Sequence, residues 1–218
     1  MVCRHASVVI ELVPASQSHC LDVAHLFGRE APLHVDLGCG DGTFLSSLAA
    51  EHPHINFLGI ERLLRRVRSS DRKAATLPNI RIIRSETLFV LRHLLAPDSV
   101  TAFYLLFPDP WPKRRHHRRR LVTTEFLDAI HRCLCPTGKV FLATDHDDYF
   151  AAIRRSLSQT AGFETCESEW TLPSSTFEKR FVAGGMNIHR LELRKVSPFA
   201  KPRASHLSDQ NRISTAPV

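Results

Sequence analysis

With 218 residues, 43% of them apolar, the chain is long enough for one domain with a full core. Lys and Arg number 29 against 22 acids, a formal charge of +7, and six of those cations fall within residues 113–120. The excess is therefore concentrated, which favours directed contact with a polyanion and argues against a generally sticky surface. The N-terminal apolar run at 8–13 is broken by Glu11, too short for a membrane span and poor as a signal peptide. A monomeric, cytoplasmic protein without membrane association is expected, with its six cysteines reduced. None of them forms a CxxC pair, and Cys133-x-Cys135 after His131 lacks the usual zinc spacing, so no metal is expected.

Residues 1–30 read as an N-terminal extension, in which 8–13 fits a strand or a helix piece and 21–27 a short helix. Strands are then predicted at 33–37, 55–60, 80–84, 100–107 and 138–144, alternating with helices at 43–51, 62–76, 86–95, 123–134 and 148–160. The stop signals are prolines at 53, 78 and 97, and the 123–134 helix places Phe126, Leu127, Ile130 and Leu134 on one face, with Thr123 or Thr124 as its cap. Two further strands are predicted at 163–170 and 188–196, the second alternating cleanly, joined by a long loop and suited to antiparallel pairing. This order predicts an α/β fold, a doubly wound, mostly parallel sheet occupying residues 31–196. The polar, Pro- and Ser-rich stretch 197–218 reads as a disordered tail.

Gly38, Gly40 and Gly42 follow the first of these strands as G-x-G-x-G, whereas the dinucleotide fingerprint requires its third glycine at position 43, which is Thr43. The turn also carries Asp36 and Asp41, which repel a pyrophosphate but suit a cationic ligand. S-adenosylmethionine, with a sulfonium and an ammonium, is such a ligand. Glu61, ending the second strand, can accept from both ribose hydroxyls, although dinucleotide folds place an acid there too. Glu86 follows the third strand, where an adenine ring would lie, and reads equally as a helix N-terminal acid.

The fourth strand runs into Pro108, Pro110 and Pro112. Each proline restricts the residue before it, so Phe107, Asp109 and Trp111 are expected extended and on one side. A carboxylate, an indole and then a dense basic run suggest a site for a base attached to phosphates, since open α/β sheets bind ligands at strand C-termini. Trp111 reads as a stacking surface or a core plug, with the core slightly favoured.

The motifs DLGCGDG at 36–42, GIE at 59–61, FPDPWPK at 107–113, TDHDDY at 144–149 and STFEKR at 175–180 resemble those of bacterial tRNA (guanine-N7-)-methyltransferases. The glycine loop is common to many methyltransferases, while the PDPWPK block is far more specific. The resemblance implies a class I methyltransferase sheet of seven strands with an antiparallel last strand, S-adenosylmethionine as cofactor and tRNA as partner. It implies methyl transfer to N7 of a guanine in the tRNA variable loop. It assigns Asp36, Gly38, Gly40, Glu61, Glu86 and Asp109 to the cofactor, with Asp109 also the active-site acid. Lys113, Asp145, Ser175, Thr176, Phe177 and Glu178 match substrate-binding positions. Three positions depart from the family: Asp36 stands where Glu is common, Ser175 where Thr is usual, and Thr176 where Lys is frequent.

Guanine N7 carries an in-plane lone pair and no proton, so the attack requires no general base, and alignment and electrostatics dominate. Asp109 is open to two readings, stabilising the cationic product or holding the methionine end of the cofactor. Asp145 can accept from the guanine N1–H and amino group or cap the helix after it. Lys113, Arg114, Arg115 and residues 118–120 are expected on the RNA backbone. Two alternatives remain open at this stage: methylation of a small molecule or protein, and a cofactor-free RNA-binding protein on the same fold.

Overall fold

The computed structural model describes residues 9–10, 20–166 and 171–196. The expected tail, most of the expected N-terminal extension and the end of the strand predicted at 163–170 lie outside the described residues. Eight strands appear among them: β1 (Val9–Ile10), β2 (Leu33–Leu37), β3 (Asn56–Glu61), β4 (Ile80–Arg84), β5 (Val100–Leu106), β6 (Leu134–Thr144), β7 (Phe163–Cys166) and β8 (His189–Lys195). They form one sheet in the order β1-β4-β3-β2-β5-β6-β8-β7. Every pairing from β1 to β6 is parallel, whereas β8 runs antiparallel to both β6 and β7. The expected sheet of seven strands with a reversed last strand is present, and the two-residue β1 extends its edge.

The helices are α1 (Val23–Phe27), α2 (Thr43–Glu51), α3 (Leu64–Ala74), α4 (Thr87–His93), α5 (Thr124–Cys133), α6 (Asp147–Ser158) and α7 (Thr176–Ala183), with a 3-10 helix at Arg114–Arg119. Period-2 alternation divides the strand side chains between two cores. Val35, Leu37, Leu58, Ile60, Phe103 and Leu105 face one side, with Val90, Leu91, Phe126, Leu127, Ile130, Tyr149 and Ile153 of α4, α5 and α6. Phe57, Ile80, Ile82, Ala102 and Tyr104 face the other, against Phe44, Leu45, Leu48 of α2 and Val67 of α3. Each fully buried Leu, Ile or Phe contributes about 1.5–3 kcal/mol. Burial on both faces explains why β5 is a nearly continuous apolar run. No helix among the described residues is long and apolar enough to cross a membrane.

Three expectations need correction. The sixth strand begins at Leu134, before Pro136 and Gly138, and its ladder with β5 shifts register between Val100 and Ala102. That irregularity accommodates residues that read as a turn. Residues 176–183 were expected as loop but form α7, started by Ser175, whose hydroxyl accepts from the Glu178 N–H at 3.1 Å. The Ser-x-x-Glu spacing is a helix-start signature visible in the sequence. The proline run is not extended throughout, because Phe107 and Trp111 have φ of 55° and 44°. A following proline disfavours the right-handed helical region, and these two residues meet that restriction in the left-handed region. For bulky side chains this costs about 1–3 kcal/mol each, so surrounding contacts must hold the loop.

Candidate functional site

Parallel strands end on one edge of the sheet, and pairing of Leu37 with Ile60 and of Glu61 with Arg84 fixes their ends level. At that edge a cavity of about 610 Å³ is lined by Gly38, Glu61, Arg66, Glu86, Phe107, Asp109, Trp111 and Arg119, among others. A second cavity of about 200 Å³ adjoins it, lined by Asp36, Gly40, Asp41, Asp145, Ser175, Thr176, Phe177 and Phe181. Gly38, Arg66, Leu106, Phe107, Pro108 and Asp109 belong to both. The larger suits a small-molecule cofactor, and the smaller a single base.

The glycine turn has φ of 93° at Gly38 and 57° at Gly40, with no crowding at either, so backbone conformation requires glycine there. At Gly42 contact adds to a φ of 78°, since an added Cβ would lie 2.6 Å from the Ser70 hydroxyl of α3. Ser70 in turn donates to the Gly40 carbonyl at 3.0 Å, fastening the turn to α3.

Asp36 is 4% exposed and accepts no hydrogen bond among the described residues. Burial, reinforced by the charge of Glu61, pushes its carboxyl up to about 8. An orphaned buried carboxylate lining a cavity fits a bound ammonium, and so fits the cationic end of S-adenosylmethionine. Asp41 differs: Lys73 lies 2.7 Å from its carboxylate and Thr43 donates to it, which leaves its charge satisfied within the chain. Burial acts to raise its pKa, but the Lys73 and Thr43 hydrogen bonds outweigh that and hold it below the ordinary value. Glu61, 5% exposed, receives the Leu63 N–H at 2.8 Å on one oxygen and faces Arg66 at 3.8 Å on the other. Glu86 makes no capping bond and is largely exposed, 3.8 Å from Arg62.

Asp109 stands exposed where the cavities meet, on the strained proline loop. Arg120 holds that loop: it is 7% exposed, donates to the Pro110 carbonyl at 2.8 Å, pairs with Asp148 at 2.5 Å and lies over the Tyr149 ring. The expectation that Arg120 contacts RNA is overturned, because its charge is spent inside. Arg119 lies over the face of Trp111, 4.9 Å from the ring centroid, and both line the larger cavity. Trp111 is thus cavity wall and not core plug. Lys113, Arg114, Arg115 and Arg118 are exposed, and Lys113 lines neither cavity.

The helix after β6 is capped by His146, whose Nδ1 accepts from the Tyr149 N–H, so Asp145 is not the cap and lines the smaller cavity instead. Ser175, Thr176 and Phe177 line the same cavity, while Glu178 lines neither. Glu178 is 4% exposed and pairs with Arg190 of β8 at 2.5 Å, anchoring α7 to the sheet. Sequence reasoning missed Phe107, Phe181 and Arg66. Phe181 packs between Phe107 and Phe177, and Arg66 lies over the Phe177 ring, making an aromatic wall with a cation at its end. The left-handed backbone at Phe107, which aims that ring, has no sequence signal beyond the proline after it.

A mixed sheet with a reversed last strand, a cavity of cofactor size at its edge and a buried acid without a hydrogen-bond partner among the described residues beside a glycine turn define an S-adenosylmethionine-dependent methyltransferase of class I architecture. The putative methyltransferase family matches residues 30–191. The tRNA (guanine-N(7)-)-methyltransferase of Syntrophotalea carbinolica is 35% identical over 182 residues, covering 80% of this chain and 78% of that protein. The enzyme of the same name from Treponema pallidum is 36% identical over 171 residues, 74% of this chain and 66% of its own length. The chain belongs to the tRNA (guanine-N(7)-)-methyltransferase family, and its cofactor is S-adenosylmethionine. A solved 16S rRNA methyltransferase, KamB, shares the fold with a TM-score of 0.60 at 15% identity, over 82% of this chain and 95% of that one.

Proposed function

We propose that this protein methylates N7 of a guanine in the variable loop of tRNA. The observation that carries this reading is the pair of adjoining cavities meeting at Asp109, one suited to a nucleoside cofactor and one to a single base. S-adenosylmethionine supplies an electrophilic methyl group on a sulfonium. Asp36 would receive its ammonium, Glu61 its ribose hydroxyls, and Glu86 would border the adenine. Gly38 and Gly40 let the chain pass close without side chains in the way.

The target guanine enters the smaller cavity against Phe177 and Phe181. Asp145, free of capping duty, accepts from its N1–H and amino group and so turns N7 inward. Ser175 and Thr176 border the base, and Lys113 with Arg114, Arg115 and Arg118 takes the flanking phosphates. N7 needs no proton removed. Asp109 therefore acts as a fixed negative charge near the positive charge that develops on the ring. Glu178 contributes by holding α7, not by touching substrate.

The test is incubation of bulk tRNA with labelled S-adenosylmethionine followed by nucleoside analysis. Label in 7-methylguanosine is expected, and label in any other nucleoside, or in protein, would refute the reading. Asp109→Ala is expected to lower kcat at least about a hundredfold, as for loss of one electrostatic stabiliser, with an unchanged circular dichroism spectrum. Wild-type turnover in that variant would remove Asp109 from the chemistry.

A further inference from the structure

Helix α3 carries five cations against one acid. Its buried residues Val67, Ser70 and Ala74 are spaced three and four apart and face the sheet. Arg65, Arg68 and Arg72 repeat that spacing two positions earlier, about 200° round a helix of 3.6 residues per turn. They form an exposed stripe on the outer face, about 10 Å long at 1.5 Å per residue. The ion pairs of the helix are made by its other cations, Arg66 with Glu61 and Lys73 with Asp41. Arg65, Arg68 and Arg72 have no carboxylate partner among the described residues, and Asp71 on the same helix pairs with none of them.

The stripe begins where the larger cavity opens, since Leu63 and Arg66 at the start of α3 line that cavity. The exposed cations of residues 113–118 follow the proline loop that carries Asp109. Arginine presents a planar fork matched to phosphate oxygens, and an unpaired, exposed arginine is not held by an internal partner that must first be displaced. Exposed apolar side chains on this helix are confined to its start, Leu63 and Leu64, too few for a lipid-inserting face. We propose that the α3 stripe is a second docking surface for the RNA backbone, gripping phosphates of the tRNA away from the target base. It rests on the reading of tRNA as substrate and adds where the body of that tRNA lies.

The experiment compares wild type with Arg65→Gln/Arg68→Gln/Arg72→Gln, measuring tRNA affinity over a KCl series. S-adenosylmethionine affinity is measured without RNA as a control for folding, since none of the three residues lines a cavity. The slope of log Kd against log [KCl] is expected to become shallower by about two to three, at about 0.7–0.9 per lost phosphate contact. The tRNA KM is expected to rise about tenfold or more at moderate salt, with kcat at saturating tRNA retained. An unchanged slope in a variant that binds cofactor normally overturns the stripe, while wild-type formation of 7-methylguanosine keeps the functional reading. Absence of 7-methylguanosine with wild type overturns the functional reading instead, whatever the stripe does. Loss of binding to phosphatidylserine vesicles with tRNA binding intact would assign the stripe to a lipid surface and overturn the proposal.

Discussion

Asp36 sits on β2 with one neighbouring charge, Glu61, and no donor among the described residues to offset its burial. With its carboxyl pushed up to about 8, the free protein holds the proton at neutral pH. Binding an ammonium favours the anion, so that proton must leave on binding. The sign follows: cofactor affinity should rise as pH climbs from 6 to about 8, by up to about tenfold per unit, and then level off. Asp36→Asn should bind the cofactor more weakly at pH 8 and show no such dependence, which calorimetry across that range would measure. The same shift has an opposite consequence for the free fold. The folded state binds the proton more tightly than the unfolded state between about pH 4 and 8, so stability declines over that window. Asp36→Asn should therefore unfold at a higher temperature than wild type at pH 8.

At the scale of elements, the proline loop and the basic tract after it do two jobs that the sequence presents as one. Six cations in residues 113–120 look alike as a string. The fold turns Arg120 inward onto Pro110 and Asp148, lays Arg119 on Trp111, and leaves Lys113, Arg114, Arg115 and Arg118 exposed. Arg120→Gln removes the charge that ties the loop to α6. It should lower kcat about tenfold or more through displacement of Asp109, with a smaller change in tRNA affinity. A steady-state comparison of kcat and tRNA KM checks this, and a pure KM effect would mean that Arg120 contacts RNA after all. Helix α7 makes a similar point. Its Ser175 and Glu178 have the spacing of a helix start, but only the tertiary structure pairs Glu178 with Arg190 of β8 and buries it against the sheet.

For the whole molecule, the parallel sheet sends the ends of β2, β3, β4, β5 and β6 to one edge, and both cavities open there. The surface around that edge is cationic, with the exposed part of the basic tract beside the proline loop. Replacing Arg114, Arg115 and Arg118 with Gln should flatten the salt dependence of tRNA binding by about two to three in log–log slope. Cofactor affinity should be unaffected, and an unaltered slope in filter binding across a KCl series would show that the tract faces away from RNA.

The sequence by itself determined the strand and helix order from β2 to α6, the sheet class, the glycine turn and the acids at the strand ends. All of these rest on local signals: apolar period, proline and glycine stops, and short motifs. Only the tertiary structure decided which charges are free. Asp41 and Lys73 are 32 residues apart in sequence, Arg120 and Asp148 are 28, and neither pairing has a local signature. It also decided that Asp145 yields its capping role to His146, and that Phe107 and Trp111 adopt left-handed backbone to wall the site. A charge becomes functional by lacking a partner, and that is a property of everything packed round it.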